Sequence, residues 1–219
     1  MKSQTKKLTA PDISVAEVDG LIKTKDLTHD IEVKLEVWSY SEPGDSYQLM
    51  IDETPIGPVK KLPTDPLKQG EPLTLSIDAQ SMLIKNGTYR IGYRVHSTLG
   101  GMFADSITTT VWVDRKRPGA GLLAPMIFPV KPCGSALIGL IPCYAGIAAG
   151  DVIQTRCNYV SGPVHVVESH EIDQVVNVAF PWDFLEGMNT STVKFEYVVT
   201  DRAGNTSLQS QPAWITVRV

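Results

Sequence analysis

The segment His165-Val-Val-Glu-Ser-His-Glu171 contains the side chains best suited to bind a metal ion. Imidazole nitrogens and carboxylate oxygens are common ligands of zinc. Because His165 and His170 are five residues apart, a continuous strand would point them to opposite faces. The spacing therefore predicts that His165, Glu168 and His170 share a metal ion only if a hairpin bend lies between the histidines. The alternative is a solvated polar hairpin without a ligand, and no cofactor is expected.

Aromatic residues cluster around the turn 41–45. Trp38 and Tyr40 precede this turn, and Tyr47 follows it. Sugar-binding sites combine apolar ring faces with a few polar groups that fix the ligand. The cluster of Trp38, Tyr40 and Tyr47 is therefore a candidate ligand-binding site for a glycan. The alternative is that Trp38 covers the end of a sheet, while Tyr47 lies in a predicted strand and packs in the core.

Two further groups of residues have side chains of the types found in calcium sites and in catalytic triads. Asp201 and Asn205 lie in one loop, but no Asp-x-Asp-x-Asp run supplies the six or more oxygens that calcium requires. These two side chains are expected instead to organise the turn through hydrogen bonds. His96, Ser97 and Asp105 have the residue types of a nucleophilic triad, but no Gly-x-Ser-x-Gly turn holds the serine. We therefore expect no enzymatic activity.

The cysteines Cys133, Cys143 and Cys157 all lie in the second half of the chain. An odd number without counterparts in the first half argues against a shared disulfide framework. Cys143 and Cys157 align with predicted core positions of the first half, so buried free thiols are expected. A Cys143–Cys157 bridge across neighbouring strands is the alternative, and a metal site lacks the Cys-x-x-Cys spacing.

The charge of the chain excludes a nucleic-acid partner. Basic residues total 20 and acidic residues 24, for a net charge of −4. Residues 1–114 contain 12 basic and 16 acidic residues and residues 115–219 contain 8 of each, so neither half has the basic excess that phosphate binding requires. No apolar stretch is long enough to span a bilayer. No secretory signal is recognisable, which leaves a cytoplasmic protein, export without a cleaved signal, or an excerpt of a longer chain.

Short β-strands separated by turns must position these groups. Residues 31–37 alternate apolar and charged side chains, which is the pattern of a half-buried strand. Similar runs recur at intervals of about 8–12 residues, as in β-sandwiches. Single helical turns are predicted at 78–84 and 181–186. The stretch 55–66 holds four prolines and is predicted to be an exposed, extended loop or an edge strand.

The two halves of the chain repeat one pattern. With a shift of 104 residues, Tyr93 aligns with Tyr197 and Gly100 with Gly204. Three further segments match in the same order with shifts of 103, 106 and 114, as loop insertions between strands would produce. Repeated patterns of this kind indicate repeated structural units. The sequence therefore predicts an all-β fold of two tandem immunoglobulin-like β-sandwich domains.

The repeat also predicts the domain boundaries. Residues 1–7 are expected to form a disordered N-terminal tail. Residues 8–114 and 122–219 are expected to form the two immunoglobulin-like sandwiches. Residues 115–121, which are basic and rich in glycine with one proline, are expected to link them.

Several motifs resemble bacterial immunoglobulin-like tandem repeats of the surface and adhesin type. Tyr197-Val-Val-Thr-Asp-Arg-Ala-Gly-Asn205 resembles the last hairpin of such repeats, and Val113-Asp-Arg-Lys-Arg-Pro118 resembles the junction between them. The pattern of Tyr144, Gly146, Gly150 and Asp151 is similar to a motif in large pseudomonad surface proteins. The first copy departs from this pattern, with Thr98-Leu-Gly-Gly in place of Arg-Ala-Gly-Asn. The resemblance implies a spacer, stalk or recognition module at the cell surface or secreted, without catalytic residues.

The predicted function is that of a non-enzymatic structural or interaction module in a bacterial surface, secreted or fibre-like assembly. It would mediate adhesion or protein–protein contacts, with a protein or glycan partner and with self-association through strand edges. One alternative is a carbohydrate-binding module that uses exposed aromatic residues. Another is an accessory domain pair of a larger enzyme or toxin.

Overall fold

A computed structural model describes residues 8–129 and 135–216 of the protein. Contacts divide the chain into two compact units between Arg115 and Lys116, called unit 1 and unit 2 below. The predicted tail 1–7 and Cys133 lie outside the described residues. None of the helices in the described ranges has the length and apolarity that a membrane span requires.

Unit 1 contains two β-sheets. The larger sheet has the strand order β1-β8-β6-β3-β4, with β7 also beside β6, and the smaller sheet pairs β2 with β5. All pairs are antiparallel except β1 with β8. A 3-10 turn covers Asp26–Thr28, and helix α1 covers Ala79–Met82. The strands are β1 (Leu21–Ile22), β2 (Asp30–Glu36), β3 (Ser46–Ile51), β4 (Thr54–Lys61), β5 (Pro72–Asp78), β6 (Gly87–His96), β7 (Phe103–Asp105) and β8 (Thr109–Val113).

Unit 2 has the same pair of sheets, but within the described residues its larger sheet has four strands where that of unit 1 has six. Its larger sheet has the order β11-β10-β13-β14, and its smaller sheet pairs β12 with β9. A 3-10 turn covers Ser169–Glu171, and helix α2 covers Trp182–Glu186. The strands are β9 (Ala136–Ile141), β10 (Val152–Cys157), β11 (Val160–Val166), β12 (Val176–Pro181), β13 (Thr192–Thr200) and β14 (Ala213–Thr216).

Each unit buries the inner faces of its own two sheets. Along β2, buried and exposed residues alternate without exception, because successive side chains of a strand point to opposite faces. The central strands β6 and β13 place Tyr93, Phe195 and Tyr197 in the two cores. Phe195 packs against Phe180 of β12, with 4.9 Å between ring centroids. The largest fully buried side chains of the two cores include Ile31, Ile77, Leu83, Ile91 and Tyr93 in unit 1, and Leu123, Phe180, Phe195 and Tyr197 in unit 2.

The hydrogen bonds of the two units confirm the repeat. Asp45 and Asp151 are both buried, and each accepts a hydrogen bond from a backbone N–H three residues earlier, Glu42 at 3.0 Å and Ala148 at 3.1 Å. The helical turns α1 and α2 occupy equivalent places before β6 and β13, as predicted. The strand order and sheet pairing confirm an all-β fold of two tandem immunoglobulin-like β-sandwiches.

Residues of the predicted linker are held by the two units separately. The Arg115 guanidinium donates to the Leu83 carbonyl at 3.1 Å in unit 1. The Gly119 N–H donates to the Ala145 carbonyl at 2.8 Å in unit 2. Gly119 has φ +76°, and a Cβ atom there would lie 2.3 Å from Leu123. The predicted boundaries at 114 and 122 stay a prediction.

The proline-rich stretch forms an edge strand. Residues 54–61 pair with β3 on one side only, which confirms one of the two structures predicted for 55–66. Proline removes a ladder donor and is therefore confined to edge positions. The first prolines of the stretch, Pro55 and Pro58, lie in this strand.

Candidate functional site

The predicted metal ligands form two pairs instead of one group. His165 lies in β11 and its Nε2 is 2.8 Å from Glu171 Oε2. His170 is exposed, and its Nδ1 is 3.2 Å from Glu168 Oε2. Within 8–129 and 135–216, no three His, Cys, Asp or Glu residues are grouped so that they could hold a metal ion. His165 and His170 therefore pair with different carboxylates.

The prediction of a hairpin at 165–171 is wrong. The strand β11 ends at Val166 and a 3-10 turn follows at Ser169–Glu171. A capping box forms this turn, because Glu168 and Glu171 each accept a hydrogen bond from the other's backbone N–H. Burial alone would raise the pKa of Glu171, but the Glu168 N–H and the neighbouring His165 together hold that pKa below its usual value.

The three aromatic residues predicted to bind a ligand do not share an exposed face. Tyr47 is in β3 and only 7% exposed. Trp38 is half-buried and packs edge-on against Tyr47, with 6.2 Å between ring centroids. Tyr40 alone projects into solvent, with 95% of its surface exposed. Two of the three rings therefore pack against the core of unit 1.

The other candidate groups have structural roles. Asp201 accepts hydrogen bonds from the backbone N–H and the side-chain amide of Asn205, both at 2.8 Å, which confirms that this pair organises the turn. Asp105 is held by both Nε and Nη2 of Arg94 at 2.6 and 2.7 Å. The hydrogen bond from Arg94 lowers the pKa of Asp105. His96 stacks on Phe103 instead of approaching this carboxylate.

The described cysteines are free thiols in different environments. Cys157 faces the core at the end of β10, and burial raises its pKa to about 12. Cys143 is exposed, so the prediction of a buried thiol is confirmed for Cys157 and wrong for Cys143. The reason is that β9 ends at Ile141, and the alternation that buries strand residues no longer applies two positions later.

The most distinctive surface of unit 2 is the outer face of its larger sheet, which points away from the core. In register across β11, β10 and β13, Val166 lies beside Val152, and Val152 lies beside Thr200. In the next outward row, Val164 and Val198 flank Gln154. Val164 and Val166 are 55% and 52% exposed. The valine patch defined here consists of Val152, Val164, Val166 and Val198.

Unit 1 provides an internal comparison for the valine patch. The row of Val166, Val152 and Thr200 corresponds to Lys61, Ser46 and His96 in unit 1. Val198 corresponds to Arg94. Val198 pairs with Gln154, and Arg94 pairs with the equivalent Gln48. Three of the four patch positions, Val152, Val166 and Val198, are therefore charged or polar in unit 1. The fourth, Val164, corresponds to Val59, which is also exposed. The apolar character is not needed to build the sheet.

A second row on the same outer face contains two exposed aromatic rings. Trp214 is the cross-strand partner of Lys194, and the Lys194 Nζ lies 4.3 Å from the ring centroid of Tyr159. Tyr159 and Trp214 are 76% and 62% exposed. Lys194 Nζ also lies 2.8 Å from Glu196 Oε2, and this hydrogen bond raises the pKa of Lys194. The residues Tyr159, Lys194 and Trp214 are called the aromatic row below.

The turn between β10 and β11 positions the first ring. Asn158 and Tyr159 have φ values of +48° and +72°, as in the two-residue turns that join antiparallel strands. Asn158 Oδ1 accepts a hydrogen bond from the Lys194 N–H at 2.9 Å. In unit 1, Asp52 makes the same bond with Arg90 at 2.9 Å.

The charges in unit 1 again differ at the positions of the aromatic row. Glu53 follows Asp52 in the turn, and its Oε1 lies 3.2 Å from Arg90 Nη2. Thr110 is the cross-strand partner of Arg90. Unit 1 therefore has Glu53, Arg90 and Thr110 where unit 2 has Tyr159, Lys194 and Trp214. The exposed aromatic residues, which sequence reasoning missed, could have been found by comparing the two copies position by position.

Comparison with known proteins finds similar structures but no similar sequences. No protein-family profile and no curated protein sequence matches the chain. One similar structure belongs to a 1.5-MDa bacterial ice-binding adhesin studied for host cell surface retention, with a TM-score of 0.48, 15% identity and 96% of this chain covered. This chain spans 64% of that adhesin chain. Another is the fibronectin(III)-like modules of Clostridium thermocellum CbhA, with a TM-score of 0.45, 14% identity, and coverage of 95% of this chain and 93% of that one.

Proposed function

We propose that this protein is a non-enzymatic interaction module of a bacterial surface, secreted or fibre-like assembly. Its two immunoglobulin-like units act as a scaffold, and unit 2 contacts another protein through the valine patch. The observation that carries this proposal is the difference between the two copies. Equivalent outer positions are Lys61, Ser46 and Arg94 in unit 1, but Val166, Val152 and Val198 in unit 2.

The valine patch is suited to a protein partner because it is apolar and lies on a regular sheet. Fully burying an exposed valine contributes about 1.5–3 kcal/mol, and contiguous exposed apolar residues mark interaction surfaces more reliably than single ones. Gln154, which lies between Val164 and Val198, turns its side-chain amide to the Gly162 and Thr155 carbonyls at 3.0 and 2.9 Å. The centre of the patch therefore has few polar groups to desolvate.

The edge strands β4 and β11 are less suited to recruit a partner. β-augmentation needs an edge strand with free backbone donors. The edge strand β4 contains Pro55 and Pro58 followed by Lys60 and Lys61, and the edge strand β11 contains Pro163. Proline and lysine are the residues that natural proteins use to prevent edge pairing. We therefore propose that association uses the outer face, and edge-mediated self-association becomes the secondary proposal.

Site-specific photo-crosslinking in cells that express the gene would test the protein-binding proposal. A benzophenone amino acid would replace Val166, and the matched control would carry it at Lys61, the equivalent position of unit 1. We expect a defined protein adduct on intact cells from position 166 and none from position 61. Val166→Asp should reduce attachment of the protein to those cells by about 10-fold, as loss of about 1.4 kcal/mol implies. Equal adducts at both positions, or attachment unaffected by Val166→Asp, would contradict the proposal.

A further inference from the structure

We propose that the aromatic row of unit 2, together with Arg156, binds a polysaccharide that carries carboxylate groups. This inference goes beyond the protein contact assigned above to the valine patch, because it concerns other rows of the sheet and another class of ligand. It rests on the spacing of two exposed rings, on one guanidinium without a partner among the described residues, and on the different residues at the same positions of unit 1.

The two rings lie on the same side of the sheet at a spacing suited to a sugar chain. Trp214 is on β14, Lys194 is beside it on β13, and Tyr159 is in the turn that follows the next strand, β10. Neighbouring strands are about 4.8 Å apart, so the two rings are separated by roughly 10 Å. An extended polysaccharide can therefore place two of its rings on the two aromatic residues, with the Lys194 stem beneath the chain between them.

The fold of unit 2 does not require an exposed aromatic ring at either position. Tyr159 adopts φ +72° and Glu53 adopts φ +68° at the same position of unit 1, so this turn does not require an aromatic side chain there. The Trp214 indole makes no hydrogen bond or ring contact with any residue of the described chain. Exposed aromatic surface that the turn and the strand do not require is a feature of binding sites.

Arg156 supplies the preference for an acidic ligand. It lies on β10 across from Glu196 and Ser161 in the row next to the aromatic row. The Glu196 carboxylate is occupied by Lys194 at 2.8 Å, and the Arg156 guanidinium has no ion pair or hydrogen bond among the residues that the structure describes. Guanidinium groups bind carboxylates through two parallel hydrogen bonds. A uronic acid would therefore pair with Arg156.

The overall charge makes this preference testable. The chain has a net charge of −4, so non-specific attraction to a polyanion is opposed. Binding of an acidic polysaccharide must therefore come from a local site. In unit 1, the same positions hold Glu53, Arg90 and Thr110, with Met50 in the place of Arg156, and we expect no binding there.

The experiment uses the full chain and affinity electrophoresis in gels that contain polygalacturonate, with neutral pullulan as the matched polymer. We expect retardation by polygalacturonate and none by pullulan. Tyr159→Glu and Trp214→Thr introduce the residues that unit 1 carries at these positions, so both variants should fold. Each should weaken binding at least 10-fold, and Arg156→Met should remove the difference between the acidic and the neutral polymer. Val166→Asp, in the valine patch, should bind like the wild type.

Three results would overturn the polysaccharide proposal: no retardation of the wild type by polygalacturonate, equal retardation by pullulan, or full binding by a folded Trp214→Thr variant. If Trp214→Thr does not fold, Trp214→Phe keeps a smaller ring, and its unchanged affinity would also count against stacking. If Tyr159 and Trp214 bind a protein partner instead, neither polymer will retard the wild type. In that case the benzophenone adduct at position 166 will disappear in the Trp214→Thr variant.

Discussion

At the residue scale, serine hydroxyls accept hydrogen bonds from backbone N–H groups of the central strands. The ladder between β13 and β14 ends at Phe195 and Ala213, so the next N–H groups of β13 need other acceptors. Ser210 Oγ accepts from the Tyr197 N–H at 3.0 Å, and Ser207 Oγ accepts from the Val199 N–H at 2.9 Å. Ser106 does the same for Tyr93 in unit 1 at 3.0 Å. These side chains replace a neighbouring strand.

Ser210→Ala should destabilise unit 2 by about 1–3 kcal/mol, because it leaves the buried Tyr197 N–H without an acceptor. Ser106→Ala should cost less, because Ser106 is only partly buried and water can replace its hydroxyl. Urea unfolding of both variants measures the difference. Equal losses would show that burial at these positions does not decide the cost.

Cysteine reactivity should follow burial. A thiol whose pKa is raised to about 12, as for Cys157, has almost no thiolate at neutral pH and reacts slowly. In a Cys133→Ser background, we expect Ellman's reagent to modify Cys143 rapidly and Cys157 only after unfolding. The Cys133→Ser, Cys143→Ser double variant should not react in its native state. Rapid modification of that variant would contradict the buried position of Cys157.

Edge strands show how the fold limits association at the scale of elements. In unit 1, the short parallel strand β1 covers the outer side of β8, and the opposite edge strand β4 carries prolines and lysines. A register irregularity between β3 and β4 also interrupts that edge, between Tyr47 and Leu49. Each feature makes addition of a further strand less favourable.

The double substitution Pro58→Thr and Lys60→Thr should promote association through β4. It restores a backbone donor and removes a charge from the edge. We expect severalfold more high-mass species in light scattering at equal concentration. Pro63→Thr lies beyond the strand and serves as the control, with no change expected. Unchanged scattering of the double variant would mean that these two residues do not protect the edge.

At the scale of the whole molecule, the described residues form two hydrophobic cores that share no residue. One consists of residues of unit 1 and the other of residues of unit 2. Leu75 in β5 and Val178 in β12 are equivalent buried positions of the two smaller sheets. Each core can therefore be perturbed separately.

Leu75→Ala should lower the stability of unit 1 by about 2–5 kcal/mol, which corresponds to a fall of roughly 10 °C or more in its melting temperature. Val178→Ala should lower the melting temperature of unit 2 in the same way. Differential scanning calorimetry would resolve which transition moves. A shift of both transitions in either variant would mean that the two units unfold together.

The sequence predicted the elements better than it predicted the sites. Alternation in β2 identified its buried face, and the repeat identified equivalent strands, because both depend on local periodicity. The strand pattern allowed Tyr47 to be either a ligand-binding residue or a core residue, and in the structure it is buried. The 3-10 turn after β11 was missed because it depends on reciprocal hydrogen bonds of Glu168 and Glu171. In the sequence alone, the polar residues of this segment are equally compatible with a hairpin.

The amino-acid sequence by itself determined that this protein consists of two copies of one all-β unit. Period-two alternation and turn residues are local properties, and they are sufficient for that conclusion. Only the tertiary structure decided which exposed residues lie side by side. Val152, Val166 and Val198 come from three strands, and Tyr159 meets Lys194 across the sheet. Cross-strand register creates these neighbours, and register depends on pairing between residues that are distant in sequence.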